Sequence, residues 1–478
     1  MSGLRLPALA VLAALLGACA AGPDYQRPAL DMPVAWKIEA PFRMGAPSDA
    51  APKGPWWRRF GDAQLDALEQ QALSGSPTLT LAAARLAQAR SVLAAATASL
   101  YPQVSVTARD VRQSISANRP LTNLRQPQFA ATQNDYVLAL NASYEADLAG
   151  RVQRTIEGAR ASAEQSAADF ENVRLLLTAD VATAYFNLRA LDIELDVLSR
   201  SIDLQRRALG LATARHDLGA TSGLDVAQQQ ALLDSTLAQV DVLRKARSQF
   251  EHAIATLTGT PAPLFALAPD VKRASPPAVP VGVPSDVLER RPDVASAERA
   301  MAAANAQIGI ANAAFYPSVT LGGTYGAESR VLHTLFDVPS TIWSLGVSLV
   351  QPVFDAGRLR ANLANAGAGY DAAVANYRRA VLTAMQEVED GIIGMAALER
   401  AHAQALTAVA SATRVLDLAT SRYEGGVATY LDVITAQQGL LSSERLSAQL
   451  LGQRLLTAVF LVKALGGDWE GAPKLAAP

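Results

Sequence analysis

Two aspartates, Asp225 and Asp432, occupy matching Leu-Asp-Val triplets whose positions differ by 432 − 225 = 207 residues. Each triplet follows a glycine-containing turn, where an aspartate can cap a helix or place negative charge at its start. The residues before the two turns also correspond, because His216 in the first copy matches Tyr423 in the second. Ionisable side chains therefore recur at two related turns, which makes these turns the first candidates for a functional site.

The residues that usually carry catalysis or bind metal form no recognisable motif in this sequence. It contains neither a nucleophile elbow, a zincin helix nor a phosphate loop. The glycine-rich run at residues 322–326 lies inside an alternating strand pattern, which disfavours a phosphate cradle. The histidines are dispersed and the methionines do not cluster. We therefore expect no metal, no cofactor and no enzymatic activity.

The one cysteine, Cys19, follows a segment that is typical of a secretory signal. Arg5 lies near its start, and an apolar run from Leu6 to Leu16, too short to span a bilayer, precedes small residues. The tetrapeptide Leu16-Gly17-Ala18-Cys19 resembles the lipobox of bacterial lipoproteins, which implies cleavage before Cys19 and a lipid attached to it. By the same resemblance, Ala20 favours sorting to the outer membrane. An ordinary signal peptide with an incidental cysteine is the alternative.

Composition and charge exclude several classes of protein. The net charge of −2 shows no basic excess, so nucleic-acid binding is not expected. Half of the 478 residues are apolar, but only 6% are aromatic, which suits close-packed alanine-rich helices. Beyond the signal, no window offers about twenty uninterrupted apolar residues, so this part of the chain has no candidate spanning helix. Any crossing of a membrane must then be made by strands.

Alternation of apolar and polar residues predicts four strands. They are expected at residues 101–116, 134–147, 316–330 and 341–354. Tyr136 and Tyr144 lie at the two ends of one apolar face, as at a membrane interface, and Ser318 and Thr320 on an opposite face suggest a water-filled lumen. Four strands cannot close a membrane barrel, since the smallest known have about eight. Strands from several copies must therefore complete one barrel.

Two long segments without proline predict helical hairpins at residues 151–258 and 358–465. A helix from Arg151 to Arg215 would be about 98 Å long at 1.5 Å per residue. The pattern of helix, two strands and hairpin occurs twice, so the chain contains two structural repeats. The predicted organisation is a signal peptide at 1–18, an N-terminal tether and equatorial segment at 19–60, repeat 1 at 61–260, a proline-rich equatorial connector at 261–284, repeat 2 at 285–466 and a C-terminal tail at 467–478.

At this point the chain resembles the TolC family of outer-membrane efflux channels, in the lipoprotein (NodT-like) branch of RND-type efflux systems. The resemblance covers nearly the whole chain. It rests on the lipobox, Gly22-Pro23-Asp24-Tyr25, Trp56-Trp57 with Phe60, both Tyr-Pro strand starts and the paired Leu-Asp-Val turns. It implies a mixed α and β membrane protein: a trimeric twelve-stranded antiparallel β-barrel, continued by a twelve-helix periplasmic α-barrel with a mixed equatorial region. It also implies a periplasmic adaptor (membrane fusion protein), an inner-membrane RND-type transporter and outer-membrane lipid as partners.

The resemblance further assigns roles at the two turns. It places Tyr423 and Asp432 at gate positions, with His216 and Asp225 as their counterparts in the first repeat. Three copies would bring up to six carboxylates together, and such an entrance attracts cations. The alternative for both aspartates is helix capping. Family members often carry a further acidic residue where this chain has Thr435, which lowers the charge expected at the ring.

Arg215 and Arg422 lie just before the turns. They either pair with Asp217 and Glu424 in solvent, at under about 1 kcal/mol each, or tie neighbouring hairpins shut. The glycines of the turns are helix C-cap candidates, and the resemblance makes them the tips that an adaptor grips. These glycines are Gly219, Gly223, Gly425 and Gly426.

The two turns differ in the size of their side chains. Tyr423 and Tyr430 replace His216 and Gly223, so the second copy has the bulk to constrict a pore. We expect this second turn to be the principal gate.

The leading interpretation is a lipid-anchored exit channel of a tripartite efflux pump in the outer membrane, with a long periplasmic extension and a gated aqueous tunnel for small molecules. An outer-membrane duct for type I protein secretion and a coiled-coil adaptor that forms no pore are the alternatives. The sequence does not identify the cargo, because a water-filled lumen need not bind what passes through it.

Overall fold

In the computed structural model of this chain, the described residues are 22–26, 54–116, 131–277 and 291–467. They divide into two compact units. One unit comprises the described residues within Met1–Pro28, Leu86–Ser166 and Ala297–Tyr377, and the other those within Ala29–Arg85, Ala167–Ser296 and Arg378–Pro478. The predicted signal peptide at residues 1–18 and Cys19 lie outside the described residues, as do most of the 19–60 tether, the end of the 261–284 connector and all but the first residue of the 467–478 tail.

The first unit contains a four-stranded antiparallel sheet with the order β1-β2-β3-β4. The strands are β1 (Gln103–Ile115), β2 (Ala131–Ala146), β3 (Ser318–Ser329) and β4 (Thr341–Val350). β2 begins before the predicted residue 134, because the polar residues that follow Ala131 continue the ladder with β1. β4 ends at Val350 and not at residue 354, and Pro352, which has no N–H to donate, lies two residues after this end.

The register of the sheet places like residues in rows. Val106 pairs with Leu140, Leu140 with Tyr325 and Tyr325 with Trp343, so one row of exposed apolar side chains crosses all four strands. On the other face, the Asn141 amide donates to the Thr107 hydroxyl (2.9 Å) and accepts from the Thr324 hydroxyl (3.0 Å). The sheet therefore has one apolar face, and its opposite face carries a polar ladder.

The long helices begin where an aspartate accepts hydrogen bonds from their first turn. Asp147 accepts from the backbone N–H groups of Val152 (3.0 Å) and Gln153 (2.8 Å), and Asp355 accepts from that of Leu359 (2.8 Å). These contacts satisfy donors that the helix itself leaves free. The helices in chain order are α1 (Ala63–Gly75), α2 (Pro77–Ala98), α3 (Arg151–Asp217), α4 (Gly223–Leu257), α5 (Pro292–Ala313), α6 (Arg358–Glu424) and α7 (Tyr430–Ala464).

Two helical hairpins, α3 with α4 and α6 with α7, follow the two strand pairs. Their ends lie within one residue of the predicted hairpins at 151–258 and 358–465. None of the helices among the described residues is long and apolar enough to cross a membrane.

Aromatic side chains fill the core of the second unit next to α1. Trp56, which lies in a short 3-10 helix (Trp56–Phe60), donates its indole N–H to the Thr178 hydroxyl on α3 (3.2 Å). The ring of Phe60 lies 4.8 Å from that of Phe186, between centroids. Trp56 and Phe60 thus join this short helix to the first long helix.

Candidate functional site

The two turns that join the helical hairpins share one backbone geometry. In the first, the Gly219 N–H donates to the His216 carbonyl (2.8 Å), and in the second the Gly426 N–H donates to the Tyr423 carbonyl (3.0 Å). Both glycines adopt a positive φ, 71° and 73°, which a side chain would disfavour. A Cβ at either glycine would meet no atom within 4 Å, so the tips are open to a partner on that side.

The returning helices are capped differently in the two copies. Ser222 caps α4 by accepting from the Leu224 N–H (3.1 Å). At α7, the exposed Asp432 carboxylate accepts from both the backbone N–H and the hydroxyl of Thr429, each at 2.9 Å. These hydrogen bonds from Thr429 hold the pKa of Asp432 below its usual value. Asp432 is therefore a helix cap, and it stays charged.

Tyr423 and Tyr430 pack inside the protomer, between its two hairpins. Their side chains are only 9% and 4% exposed, and their ring centroids lie 5.0 Å apart. The sequence suggested that their bulk constricts a pore, but in the single chain this bulk fills the core behind the turns. We call the buried residues here the turn cluster: Ala212, Leu416, Tyr423, Tyr430, Val433, Ile434 and Ala436.

Arg215 contacts the turn cluster from the first hairpin. Its guanidinium carbon lies 4.9 Å from the centroid of the Tyr423 ring, a cation–π contact worth about 0.5–1 kcal/mol at an exposed site. Among the ion pairs of the described residues, none joins Arg215 to Asp217 or Arg422 to Glu424. Arg422 is exposed on the second hairpin. The two arginines therefore have different surroundings, although they occupy equivalent positions.

His216 and Gly223 form the smaller counterpart of the tyrosine pair. The imidazole of His216 is exposed, and its Nδ1 lies 3.1 Å from the Thr221 carbonyl. A Cβ on Gly223 would lie 3.5 Å from this ring, so the two positions are in contact, as Tyr423 and Tyr430 are. Gly425 lies beside the Ser421 carbonyl at the end of α6. The contact between His216 and Gly223 in the first turn thus corresponds to the contact between Tyr423 and Tyr430 in the second, with smaller residues.

Asp225 acts across the hairpins. Burial raises the pKa of Tyr430 to about 12, with further contributions from Tyr423 and the Asp225 carboxylate. Asp225 itself is partly exposed in the first turn of α4. The structure therefore brings Arg215 and both tyrosines together, and Asp225 adjoins Val226, which packs against the turn cluster.

A buried polar contact between the hairpins was not among the sequence predictions. The Tyr430 hydroxyl donates to the side-chain oxygen of Gln229 (3.0 Å), and the Gln229 amide donates to the Gln205 carbonyl (3.2 Å). Both glutamines are fully buried. The spacing of Gln229 from Val226 and Leu233, three and four residues away, places it on the apolar stripe of α4, and this signal was available in the sequence.

Comparisons with known proteins agree over most of the chain. The profile of the family described as "Outer membrane efflux protein" matches residues 68–260 and 283–467. The pyoverdine export outer membrane protein OpmQ of Pseudomonas aeruginosa is 33% identical over 459 residues, which cover 95% of each chain. The toluene efflux pump outer membrane protein TtgC of Pseudomonas putida is 32% identical over 470 residues, covering 97% of this chain and 96% of that protein.

Solved structures show the same fold. The outer-membrane channel OprN superposes with a TM-score of 0.85 at 29% identity, covering 94% of this chain and 100% of the other. The outer membrane protein VceC of Vibrio cholerae superposes with a TM-score of 0.80 at 28% identity, covering 89% of this chain and 100% of the other.

Proposed function

This chain belongs to the outer membrane efflux protein family, and we propose that three copies of it form the gated exit channel of a tripartite efflux pump. The family is one of transport channels and not of enzymes. It places the protein in the outer membrane with a long periplasmic extension. A periplasmic adaptor and an inner-membrane RND-type transporter complete the pump.

The observation that carries this proposal is the sheet with one apolar and one polar face. Its apolar rows are exposed, with Tyr325 and Trp343 65% and 75% accessible. Among the described residues, no strand pairs with the outer sides of its edge strands β1 and β4. Unpaired backbone groups cost several kcal/mol each in lipid, so the edges must pair with other copies. Three copies supply twelve strands, with the polar ladder of Asn141 facing a water-filled lumen.

The turns are the gate of the channel at its periplasmic end. Away from the turns, the hairpins are tied by a partly buried ion pair, in which Arg445 on α7 donates to Glu194 on α3 (2.8 Å) and to Gln239 on α4 (2.7 Å). Glu194 lies 23 residues before the end of α3, about 35 Å along the helix. Beyond this ion pair, Arg200 on α3 also pairs with Glu444 on α7 (3.2 Å), and the turn cluster holds the last part of the hairpins closed.

Each gate residue has a role in this proposal. The Arg215–Tyr423 stack and the Tyr430–Gln229 hydrogen bond hold the two hairpins together. The carboxylates of Asp225 and Asp432 and the guanidinium of Arg422 set which ions enter at the tips, and His216 lies beside them. The glycines of the turns are what the adaptor grips, and these are Gly219, Gly223, Gly425 and Gly426.

The cargo class follows from the relatives. Their names refer to export of pyoverdine and efflux of toluene and antibiotics, which are small organic molecules. We assign this chain the same class, without a specific compound. A lipid on Cys19 anchors each copy.

The channel is tested with the purified, full-length protein in a planar lipid bilayer. Discrete current steps of one size are expected, together with a trimeric mass in detergent. A matched preparation in which Tyr325 and Trp343 are both replaced by aspartate places charge on the apolar face and is expected to give no steps. A monomeric mass, or equal currents from both preparations, would contradict the proposal.

A further inference from the structure

A short segment near the N-terminus is held in a groove between α3 and α5. The buried guanidinium of Arg154 donates to the Gly22 carbonyl (3.2 Å) and to the Asp24 carboxylate (2.9 Å). The buried amide of Asn305 donates to the Pro23 carbonyl (3.1 Å). Three consecutive residues are therefore each fixed by a side chain from a helix that lies more than 100 residues away in the sequence.

Steric fit adds to these hydrogen bonds. Gly22 has a φ of 98°, and a Cβ on it would lie 2.9 Å from the Gly309 Cα on α5. A Cβ on Gly309 would lie 2.8 Å from the side chain of Arg154. Only glycine at both positions allows the segment and Arg154 to approach α5 this closely. The groove is thus shaped for this segment.

The groove lies where the helices join the sheet. Arg154 is in the first turn of α3, and Arg151 at the start of that helix donates to Glu145 of β2 (2.8 Å). Gly309 lies nine residues before Ser318, the first residue of β3. The segment is therefore fixed beside the end of the sheet. In the proposed channel this is the boundary between lipid and periplasm.

We propose that Arg154, Asn305 and Gly309 form a clamp for Gly22–Asp24 that fixes where the lipid on Cys19 enters the membrane. Gly22 is three positions after Cys19, and an extended chain spans at most about 11 Å over three such steps. The clamp therefore keeps the acyl chains close to this end of the sheet. This inference rests on the lipid anchor of the proposed function, whereas the contacts of the clamp do not require the lipid.

The test uses a spin label at Ala21→Cys in the full-length protein, reconstituted in phospholipid vesicles. Acylation blocks Cys19, so the new thiol is the one that reacts. The clamp predicts an immobilised label in the parent protein and loss of the immobilised component in Gly22→Ala and in Arg154→Met. Gly357→Ala is the matched control, because Gly357 also has a positive φ of 90° but has open space around it. Its label is expected to stay immobilised.

Cys19→Ser, exported with an ordinary signal peptide, separates the clamp from the anchor. The label is expected to remain immobilised without lipid, because the groove alone holds the segment. Loss of immobilisation in Cys19→Ser, or an unchanged spectrum in both Gly22→Ala and Arg154→Met, would overturn the clamp. A mass spectrum showing that the parent protein carries no lipid would overturn the anchoring role of the clamp. Failure of the channel itself shows separately, as missing current steps with the label still immobilised.

Discussion

The Tyr430 hydroxyl donates a 3.0 Å hydrogen bond to the side-chain oxygen of Gln229, 201 residues earlier in the chain. Tyr430 begins the returning helix of the second hairpin, and Gln229 lies on the returning helix of the first. Both side chains are buried, so water does not compete for the contact. In a gate that opens by separating the two hairpins, this hydrogen bond must break.

Tyr430→Phe is expected to favour the open gate. It leaves the buried Gln229 oxygen without a donor, at a cost of about 1–3 kcal/mol to the closed state. The open probability in planar bilayers is expected to rise. Tyr423→Phe is the matched control, because the buried Tyr423 hydroxyl has no hydrogen-bond partner among the described residues. Equal open probabilities in the two variants would show that the Tyr430–Gln229 hydrogen bond does not hold the gate closed.

Arg215→Met is expected to weaken closure by a smaller amount. It removes the cation–π contact with Tyr423, worth about 0.5–1 kcal/mol, which is a change of about two- to fivefold in the opening equilibrium per copy. Arg422→Met changes the equivalent exposed arginine of the second hairpin and serves as the control. Single-channel open times measure the effects of both substitutions. An effect of Arg422→Met as large as that of Arg215→Met would contradict the role of the stack.

The buried Glu69 is expected to make stability depend on pH. Both carboxylate oxygens lack hydrogen-bond partners among the described residues, and burial raises the pKa of Glu69 from 4.5 to about 10. Between these values the unfolded chain binds fewer protons at this residue than the folded chain does, so this residue lowers stability as pH rises. Glu69→Gln cannot ionise, and its melting temperature is expected to fall less between about pH 5 and pH 9.

Glu424→Gln is the control for that measurement, because Glu424 is exposed at the end of α6. It is expected to keep the pH dependence of the parent protein. A Glu69→Gln protein with the same pH dependence as the parent would show that Glu69 is not protonated in the folded state.

The sequence predicts local structure better than it predicts which distant residues contact each other. The offset of 207 residues locates both turns, and glycine with Leu-Asp-Val predicts the ends of the helices. The burial of Tyr423 and Tyr430 was not predictable, because helical periodicity identifies an apolar face but not the hairpin that covers it. The contact between Arg154 and Asp24 joins residues 130 positions apart and leaves no local pattern.

Asp225 and Asp432 are expected to make the periplasmic entrance selective for cations. Asn at both positions removes the charges with little change in size, so the ratio of cation to anion permeability is expected to fall. Asp241→Asn, at an exposed site on α4, is the control and is expected to keep the ratio. The permeability ratio of all three proteins is measured from reversal potentials in a salt gradient. An unchanged permeability ratio in the double variant would show that neither carboxylate contributes to ion selectivity at the entrance.

The hydrogen bonds that Asp432 accepts from Thr429 make this selectivity resistant to acid. Hydrogen bonds from Thr429 lower the pKa of Asp432 below its usual 3.8, so the carboxylate is charged above that lowered value and loses its charge only as pH falls through it. Thr429→Val removes the hydroxyl donor but keeps the backbone N–H, so it raises the pKa of Asp432 toward 3.8. In an Asp225→Asn background, which leaves Asp432 as the charge under test, Thr429→Val is expected to lose cation selectivity at a higher pH. Loss at the same pH with and without Thr429→Val would mean that Asp432 caps the helix without contributing to the entrance.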